Sequence, residues 1–291
     1  MQTSDILKRV RQIEFKTGKL VRETFAGQYL SVFKGQGIEF AEVRQYIAGD
    51  DIRSIDWNVS ARTGNTYVKK FNEERELSVI IACDVSASQY FGSKGNLKAE
   101  AAIELASIFA FSAIKNSDKV GLLLFSDKVE LYIPPRKGKR HVLRIIRELL
   151  AFEPKSKKTD ISMALSTLIR LIKRQGILLF ISDFVDENYE RPFKLAARKF
   201  DLIPVIIEDP LEFNLPKLPA LIEFEDSESG ASVALSSACV KQITDARKDI
   251  LAKTLNLFKL SGVDYINIDA SKNTLDPVIK FFKQRSRKLG V

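Results

Sequence analysis

Four short, unbroken apolar runs constrain this chain more than any other feature. They are residues 77–83 (LSVIIAC), 120–125 (VGLLLF), 177–181 (ILLFI) and 202–207 (LIPVII). A strand with one wet face alternates apolar and polar residues; a run apolar at every position is buried on both faces. Between the runs the pattern turns helical, as in residues 99–114, where Ile103, Leu105, Ala106, Ile108, Phe109 and Ala113 recur at helical spacing. Further helices are expected near residues 139–152, 161–174, 189–199, 239–260 and 274–287, with a last strand at 265–268. Strands alternating with helices give a mostly parallel sheet covered on both sides. Residues 129–133 (VELYI) alternate like an edge strand and stop at Pro134-Pro135. Only residues 126–128 separate them from the preceding strand, so these two strands should be antiparallel. The expectation is an α/β, doubly wound, six-stranded sheet.

Two segments fall outside that alternation. Residues 221–224 and 232–235 flank an acidic Ser-Gly turn and read as an inserted β-hairpin, about 220–237. At the start, residues 4–24 read as a helix capped by Ser4 or Asp5. Residues 25–72 are rich in glycine and charge and read as irregular structure with short strands, packed on the main domain. The expected division is therefore an N-terminal segment, 1–72, and a main domain, 73–291.

Where the sheet reverses its direction of winding, the carboxyl ends of adjacent strands open a crevice in which such folds bind ligands. Two strands end in oxygen-bearing residues: one in Asp84-Val85-Ser86-Ala87-Ser88, the other in Ser182-Asp183. A turn leaving a strand can send alternate side chains to one side, so Asp84, Ser86 and Ser88 can converge. Thr159 opens the helix at 161 and can bring a third hydroxyl; its competing role is helix N-cap, for which Asp160 is the rival. The bland alternative for Asp84, Ser86 and Ser88 is a capped strand-to-helix turn, and the order of Thr159 and Asp183 on their elements favours the metal site over it. Such an all-oxygen set suits a hard cation, Mg²⁺ or else Mn²⁺ or Ca²⁺. Two carboxylates neutralise one divalent ion, and the hydroxyls add no charge. The ion then stays electrophilic with a position open, which a carboxylate of a partner protein can fill.

The series Asp84-x-Ser86-x-Ser88, Thr159, Asp183 resembles the metal-ion-dependent adhesion site (MIDAS) of von Willebrand factor A domains. That resemblance implies strand order 3-2-1-4-5-6 with the third strand antiparallel. It implies Ser86 and Ser88 as direct metal contacts, and Thr159 and both aspartates as direct or water-mediated ones. The chain departs from the pattern at Phe184, where the family often has glycine, so the shape of that loop is open. Upstream, Glu39-Phe40-x-x-x-Arg44-x-Tyr46, Gly49-Asp50-Asp51-x-Arg53-x-Ile55-Asp56-Trp57, Ala61-Arg62 and Val68-Lys69 are similar to bacterial proteins of domain-of-unknown-function family 58. That resemblance implies a partner: a MoxR-type AAA+ ATPase or its client, in assembly or maturation of other proteins.

Composition trims the alternatives. The charge of +9 is spread over the first 22 residues, 136–140 and 283–288. Aromatic residues do not interleave with these runs, so solvated faces are expected and nucleic-acid binding is the lesser reading. Asp84 invites comparison with aspartyl-phosphate phosphatases, but the position two residues on, where they place a general acid, is Ser86. His141 is the sole histidine, and no nucleophile elbow accompanies it, so it is expected at the surface. No catalytic residue and no small-molecule substrate is expected. Asp50, Asp51, Arg53 and Asp56 read as an ion-pair network holding the N-terminal segment to the domain, with Trp57 as packing. Two isolated cysteines, Cys83 and Cys239, fit a reducing compartment. No leader and no apolar run of about 18 residues occurs, so the expected location is the cytoplasm.

Overall fold

The computed structural model describes residues 3–20, 29, 39–72, 77–93, 97–214, 222–225, 232–235 and 237–288. They fall into two compact units, residues 33–77 and residues 1–32 with 78–291.

The larger unit is built on six strands: β3 (Ser78–Asp84), β4 (Lys119–Phe125), β5 (Val129–Arg136), β6 (Ile177–Ser182), β7 (Asp201–Glu208) and β10 (Ile266–Asp269). Their order across the sheet is β10-β7-β6-β3-β4-β5. Only β5 runs antiparallel to its neighbour. Counted in chain order, this is the 3-2-1-4-5-6 arrangement of a von Willebrand factor A-like fold. Every residue of β6 is buried, as an apolar run requires. Pro204 sits in β7, and the pairing of β7 with β10 begins one residue later, at Val205. The proline thus falls where that side of the strand is open.

Alternate strand residues feed two cores. Ile80, Ala82, Leu178 and Phe180 pack with helices α5 (Ile161–Leu171), α6 (Glu190–Lys199) and the end of α7 (Ser237–Leu260), through Leu165, Leu168, Phe193 and Phe258. The other face takes α3 (Lys98–Lys115), on which Phe109 meets Phe282 of α8 (Leu275–Lys288), ring centroids 5.7 Å apart. Against α3 lie α4 (Lys139–Ala151) and the N-terminal helix α1 (Thr3–Leu20). Each fully buried Leu, Ile or Phe contributes roughly 1.5–3 kcal/mol to folding. The hairpin β8 (Ile222–Glu225) and β9 (Ser232–Leu235) is inserted between β7 and α7, as the sequence indicated.

The smaller unit is more regular than its composition suggested. β1 (Glu39–Gln45) pairs with β2 (Tyr67–Asn72) antiparallel, and α2 (Trp57–Thr63) lies between them in sequence. Charges along EFAEVRQ and YVKKFN hide the strand pattern. The signature residues here build turns and caps. Asp50 accepts from both terminal nitrogens of Arg44 (2.9 and 2.6 Å) and from Ile47 N (2.9 Å). Asp51 accepts from Arg53 N (2.9 Å), and Asp56 caps α2 through Asn58 N (3.0 Å) and Val59 N (3.2 Å). Gly64, at φ 75°, ends α2 in the left-handed conformation.

The ion pairs Arg44–Asp50 and Lys69–Asp56 lie inside the smaller unit. Two expectations need amendment. Trp57 is 69% exposed, not packed. His141 is half-buried, with Nε2 2.9 Å from the carbonyl oxygen of Val120. Cys83 is buried and free. The side chain of Cys239, residues 21–24 of the expected first helix and residues 25–28 and 30–38 lie outside the described residues.

Candidate functional site

The winding reverses between β3 and β6, which is where such folds place a ligand crevice. From β3 the chain crosses to β4 on one side, and from β6 to β7 on the other. The register pairs Cys83 with Ile181, so Asp84 and Ser182 emerge side by side at the carboxyl ends. Asp84 then turns the chain. Its Oδ1 accepts from Ser86 N (2.9 Å) and its Oδ2 from Ser182 Oγ (2.8 Å). The hydroxyls of Ser86 and Ser88 lie 3.1 Å apart, within a turn that leads into the short helical stretch Ala87–Tyr90.

The segment bearing Thr159 runs alongside. Ala87 N donates to Lys157 O (3.0 Å), and Asp160 N donates to Ser126 O (3.1 Å). Asp160, not Thr159, caps α5, accepting from Met163 N at 2.6 Å. Thr159 is thus relieved of the capping role and stands half-buried two residues after Lys157. Asp84, Ser86, Ser88 and Asp183 belong to adjoining strand ends, and the loop of Thr159 is bonded to the same turn.

Two partners of Asp183, and a glutamate that holds them both, had no sequence signal. Asp183 Oδ2 accepts from Lys98 Nζ at 2.8 Å, and the same ammonium donates to Glu212 Oε1 at 2.6 Å. Arg247 Nε donates to Glu212 Oε2 (3.3 Å), and its Nη2 donates to the carbonyl oxygen of Asp183 (3.2 Å). Lys98 is 2% exposed and opens α3. Glu212 ends the short turn after β7, and Arg247 lies on α7. A lysine at the head of an apolar helix looks like a solvated end, so pattern alone does not reveal this role.

The electrostatics divide the two aspartates. Burial pushes the Asp84 carboxyl well above the usual range, and the charge of Asp183 adds to this; hydrogen bonds from Ser86 and Ser182 offset only part. Burial works against Asp183 as well, but Lys98, a hydrogen bond from Ser88 and the charge of Arg247 outweigh it and hold Asp183 below the usual range. Among the described residues no cationic side chain pairs with Asp84. Asp84 is therefore a buried carboxylate with hydrogen bonds and no countercharge, which is the chemistry a small cation satisfies. Among the described residues no cluster of three or more His, Cys, Asp or Glu is placed to hold an ion. A cation here depends on serine and threonine hydroxyls beside two aspartates, a donor set that fits a hard ion. Asp84, Ser86, Ser88, Thr159 and Asp183 are the residues that would hold it.

The fold and this arrangement define a von Willebrand factor A-like α/β domain with a buried cluster of oxygen-bearing side chains at its switch point. Residues 42–254 match the model of the family described as "Protein of unknown function DUF58", and the chain belongs to that family. An uncharacterized protein of Mycobacterium tuberculosis, Rv1480, is 25% identical over 283 residues, covering 96% of this chain and 89% of that protein. Among solved structures, the conserved hypothetical protein BatB of Bacteroides thetaiotaomicron is similar at 15% identity, with 72% of this chain and 99% of that one covered and a TM-score of 0.45. An aerotolerance-related membrane protein of Bacteroides fragilis is similar at 18% identity, covering 73% and 99%, with a TM-score of 0.48. Among the described residues of this chain, no helix is long and apolar enough to cross a membrane.

Proposed function

We propose that this protein is a metal-dependent protein-interaction module. Asp84, Ser86, Ser88, Thr159 and Asp183 hold one divalent ion, Mg²⁺ in the first instance, and a carboxylate of a partner protein completes the ion's shell. The observation that carries this reading is the meeting of Asp84 and its paired serine hydroxyls with Asp183 at the ends of adjacent strands. The ion supplies charge neutralisation and an open coordination position. The chain's own work is to fix the oxygens: Ser182 and the Ser86 amide orient Asp84, and the Ala87–Lys157 bond ties the Thr159 loop to the turn.

A binding role is favoured over a hydrolytic one because both oxygens of Asp84 accept hydrogen bonds from fixed donors, and no general acid stands two residues on. Nucleic-acid binding is the weaker reading, since members of the basic runs are spent in ion pairs. Lys139 meets Glu14 at 2.5 Å, Arg285 meets Asp201 at 2.5 Å, and Lys288 pairs with Asp264. The partner that fits the family is a MoxR-type AAA+ ATPase or its client. Calorimetric titration of Mg²⁺ and Mn²⁺ into wild type and Asp84→Ala tests the site: binding in wild type and none in the variant is expected. Equal binding in both removes the assignment. A pull-down with and without chelator then tests the partner, which should be retained only when the ion is present.

A further inference from the structure

We infer that Lys98 is a resident cation of the crevice, a positioning residue whose ammonium competes with the divalent ion for Asp183 and yields that carboxylate by keeping its hold on Glu212. The inference rests on the metal reading above and concerns what sets the affinity of that site.

Lys98 is almost wholly enclosed, and its ammonium is shared between Asp183 Oδ2 (2.8 Å) and Glu212 Oε1 (2.6 Å). One of the two carboxylates offered to the ion is thus already committed to a positive charge. A divalent ion and an ammonium on the same buried carboxylate repel each other, so binding of the ion favours withdrawal of the lysine. The surroundings give it somewhere to go. Glu212 is held from its other side by Arg247, so it keeps its place when Lys98 turns fully onto it. Arg247 is 9% exposed, and the charges of Arg247 and Lys98 both act on the Glu208 carboxyl. An ammonium already shared between two carboxylates can lean onto either of them. Release of Asp183 shifts positive charge toward Glu212 and Glu208. The turn after β7 and helix α7 therefore respond to what happens at the crevice.

Two substitutions at this network should move metal affinity in opposite directions, which no purely structural role does. Calorimetry with Mn²⁺ alone is the readout, paired with thermal melts in chelator and in excess Mn²⁺. Lys98→Met frees Asp183 and is expected to tighten Mn²⁺ by about tenfold or more. Its metal-free form should melt lower than wild type, and Mn²⁺ should restore more degrees in it than in wild type. Glu212→Gln takes away the alternative seat, leaves Lys98 on Asp183 alone, and is expected to weaken Mn²⁺ by about tenfold. It changes no volume, so it carries the test where Lys98→Met does not fold. Mn²⁺ affinity unchanged or raised in Glu212→Gln overturns the inference, as does affinity unchanged or lowered in a folded Lys98→Met. Binding that is equal in wild type and variants sinks this inference and leaves the metal site standing. No binding in wild type sinks both.

Discussion

Phe184 occupies the position where a glycine is common in von Willebrand factor A domains, and its backbone has φ 55°, in the left-handed region. That conformation costs an ordinary residue about 1 kcal/mol. The ring explains why it is kept. Phe184 is 1% exposed, with ring centroids 5.7 Å from Phe180, 5.2 Å from Phe258 and 6.2 Å from Tyr189. A glycine turn and an aromatic anchor are two solutions to one problem, which is to bend the chain sharply after Asp183. Emptying a buried phenylalanine costs roughly 3–5 kcal/mol. Phe184→Gly should therefore lose roughly 2–4 kcal/mol in urea unfolding, after the backbone relief is subtracted. A variant as stable as wild type would show that the ring does not hold the loop. Asp84, Ser86, Ser88, Thr159 and Asp183 were all legible as candidates, because turn residues at strand ends stand out against apolar runs. Lys98, Glu212 and Arg247 were not. Lys98 meets partners 85 and 114 positions away, and nothing local in the chain records such a pairing.

At the scale of elements, the sharpest constraint lies at the foot of the strands that carry the site. Gly176 precedes β6, and a Cβ placed there would stand 2.4 Å from the carbonyl oxygen of Ser78, where β3 begins. The obstacle is backbone and cannot rotate away. Gly176→Ala should cost roughly 1–3 kcal/mol as β6 is pushed from its register with β3. Among the described residues a Cβ at Gly18, inside α1, meets nothing within 4 Å, and replacement by alanine should add roughly 0.5–1 kcal/mol. Chemical denaturation of the two variants should therefore show shifts of opposite sign; a loss in both would mean that helix α1 gains nothing from added propensity. Asp160→Ala removes the cap of α5 and should cost about 1 kcal/mol, lowering the melting temperature by roughly 2–4 °C. The alternation of buried runs with helical stretches made the larger unit readable, since each run has to find two covered faces. The β1–β2 pair was not readable as regular strands, because five of its thirteen positions carry charge and about twenty residues, with a helix, separate the two.

For the molecule as a whole, the carboxyl edge of the sheet gathers acids whose environments pull in opposite directions, and this sets the response to pH. Burial disfavours charge on Asp209, but Ser93 Oγ, Ser93 N and Leu211 N, each at 2.9 Å, outweigh it and hold the carboxyl low. Asp269, at the end of β10, is held low in the same way: burial opposes, and Lys272 (2.8 Å) and Ser271 Oγ (2.6 Å) prevail. Glu208 and Asp186 go the other way, raised chiefly by burial. For the first pair the folded value lies below the unfolded one. Their stabilisation is complete above the unfolded value, about pH 4, and is lost as pH falls through the folded values. For the second pair the folded value lies above the unfolded one, so their contribution is complete below about pH 4 and is lost as pH rises through the folded values. Stability should accordingly rise as pH falls from neutral into the mildly acidic range, then drop below about pH 4. Melting temperatures from pH 3 to 8 in chelator measure the curve, and two isosteres separate its limbs. Asp209→Asn should lower the plateau and make the acid loss shallower. Glu208→Gln should leave the acid loss intact and reduce the decline toward neutral pH, with the part owed to Asp84 and Asp186 remaining. If both variants keep the wild-type shape, the curve is governed by acids other than Asp209 and Glu208.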